Sequence, residues 1–146
     1  AAKGVYFGLG MNHDLRHIFR ATMEGVSFNL CECAKIFDSM GISSQKLIFS
    51  GGGAKSFLWR QITADVLNKP VYTVENTEEA CTGAVIMAAV GTGCYGCIEE
   101  ACEKIVHICK EPVCPVAENV KTYAEQQQIF TELYKNIKNI FPKLQK

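Results

Sequence analysis

The strongest candidate for chemistry is the run Ser50-Gly51-Gly52-Gly53-Ala54-Lys55-Ser56. Consecutive glycines let the main chain turn sharply, and they let a flat ligand lie against it with no side chain in between. A helix that starts behind such a turn offers free N–H groups and the positive end of its dipole, which suit anionic or polar ligand atoms. The run is not a P-loop, because Gly-Lys-Ser/Thr at that motif's spacing is absent. The same residues also serve as a plain strand-to-helix turn that holds no ligand, and the local pattern leaves the two readings level.

The other reactive side chains carry less. Gly91-Thr92-Gly93-Cys94-Tyr95-Gly96 fits the dinucleotide fingerprint letter for letter, but that fingerprint needs a strand before it and a phosphate-facing helix after it. A helical pattern precedes it here, so its glycines are expected to end that helix. Cys94-Tyr95-Gly96-Cys97 is a C-x-x-C, followed by Cys102, Cys109 and Cys114. A zinc site wants a second close pair, and Cys109 and Cys114 are spaced too loosely. A redox pair opens a helix directly after a strand. His13, His17 and His107 show no ligand spacing, and His17 reads as a helix-surface or capping residue. The aspartates are Asp14, Asp38 and Asp65. None lies in a glycine-rich turn where a carboxylate would meet a substrate hydroxyl, and Asp65 is expected as a solvated or capping charge within a helix. There is no Ser-His-Asp signature. No catalytic residue and no metal ligand is assigned.

The elements that must position the glycine run follow from periodicity. Val5 to Phe7 reads as a strand or extended lead-in. Asn12 or Asp14 can cap a long helix whose apolar stripe is Leu15, Ile18, Phe19, Thr22, Met23, Val26, Leu30, Cys33 and Phe37, closed by Gly41. Lys46 to Phe49 is a short strand leading into the turn. A second helix runs from about Ser56 to Leu67 with Ile62 and Val66 inward, stopped at Asn68-Lys69-Pro70. Val71 to Val74 is the next strand. Thr77 starts a third helix rich in small residues, with Glu78 and Glu79 favourable to its dipole. Ile98 to His107 is a short helix, Cys109 to Val116 an edge strand or loop. A last helix begins near Asn119, keeps Tyr123, Phe130, Tyr134, Ile137 and Phe141 on one face with Gln127 as the polar exception, and ends at Pro142. Strand alternating with helix predicts an α/β class. Four or five helices on so few strands need a wider sheet, which suggests that part of the domain lies outside this chain.

Composition narrows the partners. The chain has 146 residues, the length of one ordinary domain, and its formal charge is zero at pH 7. A nucleic-acid partner would need a basic surface to release counterions, and an anionic membrane would likewise need one, so no nucleic acid and no membrane is expected. The longest apolar run, near Ala84 to Val90, is far short of the ~20 residues of a spanning helix. Ala1-Ala2-Lys3-Gly4 is no signal peptide and lacks an initiator Met, so the chain reads as an excised piece. Eight cysteines invite a disulfide reading. Against it, Cys31, Cys33, Cys81 and Cys102 fall in helical stretches, where cysteine acts as a small buried hydrophobe. Reduced thiols in a cytoplasmic protein are expected.

Longer patterns resemble a known family. Gly4-x-Tyr6-x-Gly8-Leu9, seven residues, then His17-Ile18-x-x-Ala21-Thr22-Met23-Glu24 matches the second signature of the FGGY carbohydrate kinases at every specified position. Gly51 to Ser56 followed by Leu58-Trp59-Arg60-Gln61 resembles the family's adenine-site segment in its xylulokinase-like form. Asp65 to Val71, Glu79-Ala80-Cys81-Thr82-Gly83-Ala84 and the closing Tyr134 to Leu144 are similar to later family segments, so the resemblance covers essentially the whole chain.

The resemblance implies a ribonuclease H-like, actin-like ATPase fold, with residues 1–146 forming the C-terminal part of the ATP-binding domain of a two-domain sugar kinase. It implies that adenine packs on Gly52, Gly53 and Ala54, with Ser56 near an adenine-contacting position, and that Mg2+ bridges the ATP phosphates through ligands mainly outside this chain. The catalytic aspartate, most sugar contacts and a phosphate-binding loop would lie upstream, so this piece alone is expected to be inactive. The sugar expected from the motif style is xylulose, with related pentuloses and polyols as alternatives. A bare sheet edge would invite pairing with another copy, giving a homodimer. The rival readings are a non-catalytic interaction or regulatory module of the same fold and a cysteine-based metal or redox protein.

Overall fold

The computed structural model describes residues 2–75 and 78–144. The helices are α1 (Leu15–Ser39), α2 (Phe57–Leu67), α3 (Glu79–Gly91), α4 (Ile98–Ile105) and α5 (Ala117–Ile137), with two short strands, β1 (Leu47–Ile48) and β2 (Val71–Tyr72). The chain gathers into two compact units. One is drawn from Ala1–Ser43, Asp65–Asn68 and Pro115–Lys146, the other from Ser44–Ala64 and Lys69–Cys114. Among the described residues no helix is long and apolar enough to cross a membrane.

In the first unit, α1 lies along α5. Asp14 rather than Asn12 is the N-cap of α1: its carboxylate accepts the Arg16 and His17 N–H groups, and His17 completes a capping box. Arg16, then His17, holds the Asp14 carboxyl well below the usual carboxylate range. At the other end Gly41 adopts φ +79°. Gly41 N–H donates to Asp38 O and Ile42 N–H to Phe37 O, the paired bonds of a Schellman ending.

The face that α1 turns to α5 is not the predicted stripe. It buries Ser27 and Phe28, and Phe28 packs edge-on to Tyr123 and tilted on Phe130. Phe19 and Phe37 stay 62% and 53% exposed. Polar groups bind the two helices together: Tyr123 hydroxyl donates to Glu24 at 2.8 Å and accepts from Arg20 at 2.9 Å. Gln127, 6% exposed, donates from Nε2 to Phe28 O and to the Glu32 carboxylate. The expected polar exception on α5 is therefore a core residue. Helix α5 begins at Ala117 and stops at Ile137, five residues short of Pro142, which lies in a separate 3-10 turn, Phe141–Leu144. No strand forms at Val5 to Phe7.

In the second unit, β1 and β2 pair in parallel with Leu47 opposite Val71 and Ile48 opposite Tyr72. The Cys109 to Val116 stretch contributes an antiparallel bridge at Val113 to Val71, and a second joins Ile108 to Val74, so this segment is a third, irregular member of the sheet. The strands are shorter than the four-residue runs predicted for them, because pairing rather than β-propensity decides where a strand ends. Helix α2 buries Ile62, Thr63 and Ala64, while Val66 is only half-buried. Asn68, which belongs to the first unit, takes φ +49°. Helix α4 packs on α3. Thr77 lies outside the described residues.

Helix α3 ends as the glycine pattern predicted. Gly93 sits at φ +78°, with Gly93 N–H on Val90 O and Cys94 N–H on Ala89 O, a second Schellman ending. The dinucleotide-like letters are thus a helix stop.

Candidate functional site

Strand β1 delivers the chain into the glycine run, and the Phe49 N–H to Tyr72 O bond of 2.8 Å holds the last sheet contact. Gly51 then takes φ +80°, ψ −169°, a conformation open in practice only to glycine. Residues Gly52–Lys55 form one 3-10 turn, closed by Ala54 N–H on Gly51 O and Ser56 N–H on Gly53 O, both 3.1 Å. Ser56 hands the chain on to α2: its Oγ accepts the Trp59 N–H at 3.3 Å and its carbonyl accepts the Arg60 N–H.

The glycines of this turn have different surroundings. A Cβ on Gly52 would meet nothing within 4 Å, so this residue presents bare main chain to open space. A Cβ on Gly53 would lie 3.1 and 3.2 Å from the Trp59 ring and 3.3 Å from Phe49. Those two aromatic rings meet edge to face, 6.1 Å between centroids, and form the floor under the turn. A side chain at Gly53 would thus need the rings below it to give by a few tenths of an ångström, Gly51 is favoured by its backbone, and Gly52 leaves room for a ligand. Ala54 and Ser56 are half-buried beside them.

A residue absent from the sequence-based site reaches the turn from α3. Glu79 Oε1 accepts the Gly51 N–H at 2.6 Å. This bond, then the Glu79 main-chain N–H, draws the carboxyl below its usual range. A cavity of about 230 Å³ opens beside this contact, lined by Ser50, Glu79, Thr82, Gly83, Ile86 and His107 among others. No local motif announces Glu79, because its partner lies 28 residues earlier.

The remaining candidates separate from the turn. His17 is occupied in the α1 cap. Asp65 is not a solvated charge: it is 2% exposed and accepts from Val116 N–H and Asn119 Nδ2. All eight cysteines are free thiols. Cys31 and Cys102 are half-buried, and Cys33 and Cys81 are exposed, so none of the helical four is the fully buried hydrophobe that was expected. Cys97 stands at the N-cap of α4, and its side chain makes no cap bond there. Among the described residues no three His, Cys, Asp or Glu side chains come together as metal ligands.

Comparison with known proteins agrees with this architecture. The profile of the FGGY family of carbohydrate kinases, C-terminal domain, matches residues 1–92. Xylulose kinase of Bacillus subtilis is 32% identical over 140 residues, covering 94% of this chain and 28% of the relative. Gluconokinase of the same species is 28% identical over 143 residues, covering 97% of this chain and 28% of the relative. The crystal structure of xylulose kinase from Rhodospirillum rubrum superposes with a TM-score of 0.80 at 28% identity, covering 96% of this chain and 28% of that one. The chain thus spans 28% of the length of each of these relatives. Its α/β fold is that of the corresponding part of these sugar kinases, consistent with the ribonuclease H-like, actin-like ATPase class. With a profile match across well over half its length, the chain belongs to the FGGY family of carbohydrate kinases.

Proposed function

We propose that this chain forms the ATP side of a sugar kinase that transfers the γ-phosphate of ATP to a sugar hydroxyl. Gly52, whose Cβ position faces open space, carries the reading. In it, adenine lies on the main chain of Gly52, Gly53 and Ala54, with Ser56 at its edge, while the Trp59–Phe49 pair keeps the platform rigid from beneath. The family match over residues 1–92 supports the reaction class. The higher identity to xylulose kinase than to gluconokinase of the same species supports xylulose or a related pentulose as acceptor.

Residues 1–146 take the C-terminal part of the ATP-binding domain in this reading. The described residues offer no clustered carboxylates for Mg2+, so Mg2+ ligands are assigned to other parts of the kinase, and no step is derived through the ion. What this chain does is bind and orient: it excludes water from one face of the base and fixes the nucleotide's position. Phosphoryl transfer depends on positioning both reactants and neutralising charge, so residues 1–146 alone are assigned no turnover. The balanced charge supports a reading without nucleic acid or membrane partners, and free thiols support a cytoplasmic one. Among the described residues β1 pairs in a strand ladder with β2 alone, and pairing of its other edge with a second copy, a homodimer, belongs to this reading.

The test is a coupled ADP-release assay on the full-length protein with Mg-ATP and a panel of pentuloses, aldonates and polyols. Turnover highest on xylulose is expected. Turnover on gluconate alone would replace the acceptor. Bound nucleotide without turnover on any sugar would favour a non-catalytic module, and zinc near one equivalent would favour a cysteine-based metal protein.

A further inference from the structure

We infer that Glu79 is a positioning residue for nucleotide binding, acting through Gly51 rather than by touching the nucleotide. The inference rests on the assignment of the glycine turn as the adenine platform.

The geometry makes the case. Gly51 is the hinge between β1 and the 3-10 turn, and it sits in a region of backbone space that only glycine adopts readily. Such a residue has wide freedom in the absence of a restraint, and any rotation about it would swing Gly52 and Gly53. Its carbonyl is held from within the turn by Ala54 N–H. Its N–H is held by Glu79 Oε1 at 2.6 Å, a charge-assisted bond from an element 28 positions away. That is the restraint tying the hinge to α3.

Glu79 is suited to the task. It is the first residue of α3, and Glu78 before it makes no side-chain cap bond. Its carboxylate therefore faces the positive end of the helix and binds Gly51 from there. Lys55, within the turn, is close enough to favour the ionised form. Helix α3 and the platform are thus coupled through one carboxylate, and a displacement of α3 is transmitted to the adenine-facing glycines.

The experiment uses the full-length protein, with ADP binding followed by calorimetry and steady-state kinetics with Mg-ATP. Glu79→Ala is expected to raise the ADP Kd and the ATP KM about tenfold, the effect of losing one charge-assisted bond. The sugar KM and kcat are expected to stay within about twofold. Glu79→Gln keeps an acceptor oxygen of the same reach without the charge, so a rise of about threefold is expected, a partial rescue. An alanine variant with wild-type ATP KM, in a protein whose wild type binds ADP, overturns the inference alone. A parallel loss in ATP KM, sugar KM and melting temperature also overturns it, since Glu79 would then support the fold at large. A wild-type protein that binds no ADP overturns the adenine platform itself, and the inference with it.

Discussion

The Asp65 carboxylate accepts the Val116 N–H at 2.8 Å, joining the end of α2 to the start of α5 across 51 positions of sequence. Val116 is the N-cap of α5 but has no side-chain oxygen with which to cap it. Asp65, from another helix, instead accepts the N–H of Val116 itself, and its second oxygen receives Asn119 Nδ2 at 2.9 Å. Asp65→Ala removes the acceptor of two part-buried bonds and is expected to lower unfolding free energy by about 2–3 kcal/mol. Asp65→Asn, which keeps one acceptor, should lose less. Urea denaturation reads both, and a change in Asp65→Ala too small to resolve would show that water replaces the carboxylate.

Gly52 and Gly53 are adjacent but should respond differently to the same methyl group. Gly53→Ala drives a Cβ into Trp59 and Phe49 and is expected to cost about 1–3 kcal/mol through overpacking. Gly52→Ala meets no neighbour, so melting temperature should hold while nucleotide affinity falls. Equal affinity in Gly52→Ala and wild type would remove Gly52 from the adenine platform.

Burial, followed by the neighbouring Glu24 carboxylate, pushes the Tyr123 hydroxyl up to about 12 from an ordinary 10.0. The neutral phenol is the form the fold prefers. Its contribution is complete below the ordinary value and is lost as pH rises toward the folded one. A spectrophotometric titration of the tyrosines should show one late phenolate step that disappears in Tyr123→Phe. That variant also gives up the bonds to Glu24 and Arg20, an expected loss of about 1–2 kcal/mol.

Asp14 responds at the opposite end of the scale. Its folded-state acidity is strengthened by Arg16 and His17, so its contribution is complete above its ordinary value of 3.8 and fades as pH falls below that. Asp14→Ser keeps a capping oxygen and removes the charge. The stability gap between wild type and Asp14→Ser, measured by urea denaturation from pH 7 downward, should be flat at first and then close in acid. A gap that widens in acid would rule out the ion pair as its source.

Helix ends were the most legible part of the fold, because they are written locally. Asp14 and His17 lie three residues apart, and Gly41 and Gly93 sit where a left-handed residue must follow a helix. The glycine run was legible for the same reason. What escaped sequence reasoning depends on distant partners. Asp65 was legible as a solvated or capping charge, but not as a buried acceptor for groups more than 50 residues downstream. Glu79 looked like a dipole-favouring charge because its bond to Gly51 appears only in the folded chain. The α1 stripe was sound as periodicity, yet α5 meets another face, where Phe28, Glu24 and Glu32 supply both apolar and polar contacts.

The separation of α1 from α5 has a consequence for how the chain is made. Phe28 finds its ring partners only at Tyr123 and Phe130, and Glu24 waits 99 residues for the Tyr123 hydroxyl. At ordinary translation speeds that wait is roughly 5–20 s. During it, α1 leaves the ribosome as a long amphipathic helix whose proper neighbour does not yet exist. A nascent chain of this kind presents its greasy side to solvent first and its finished surface last.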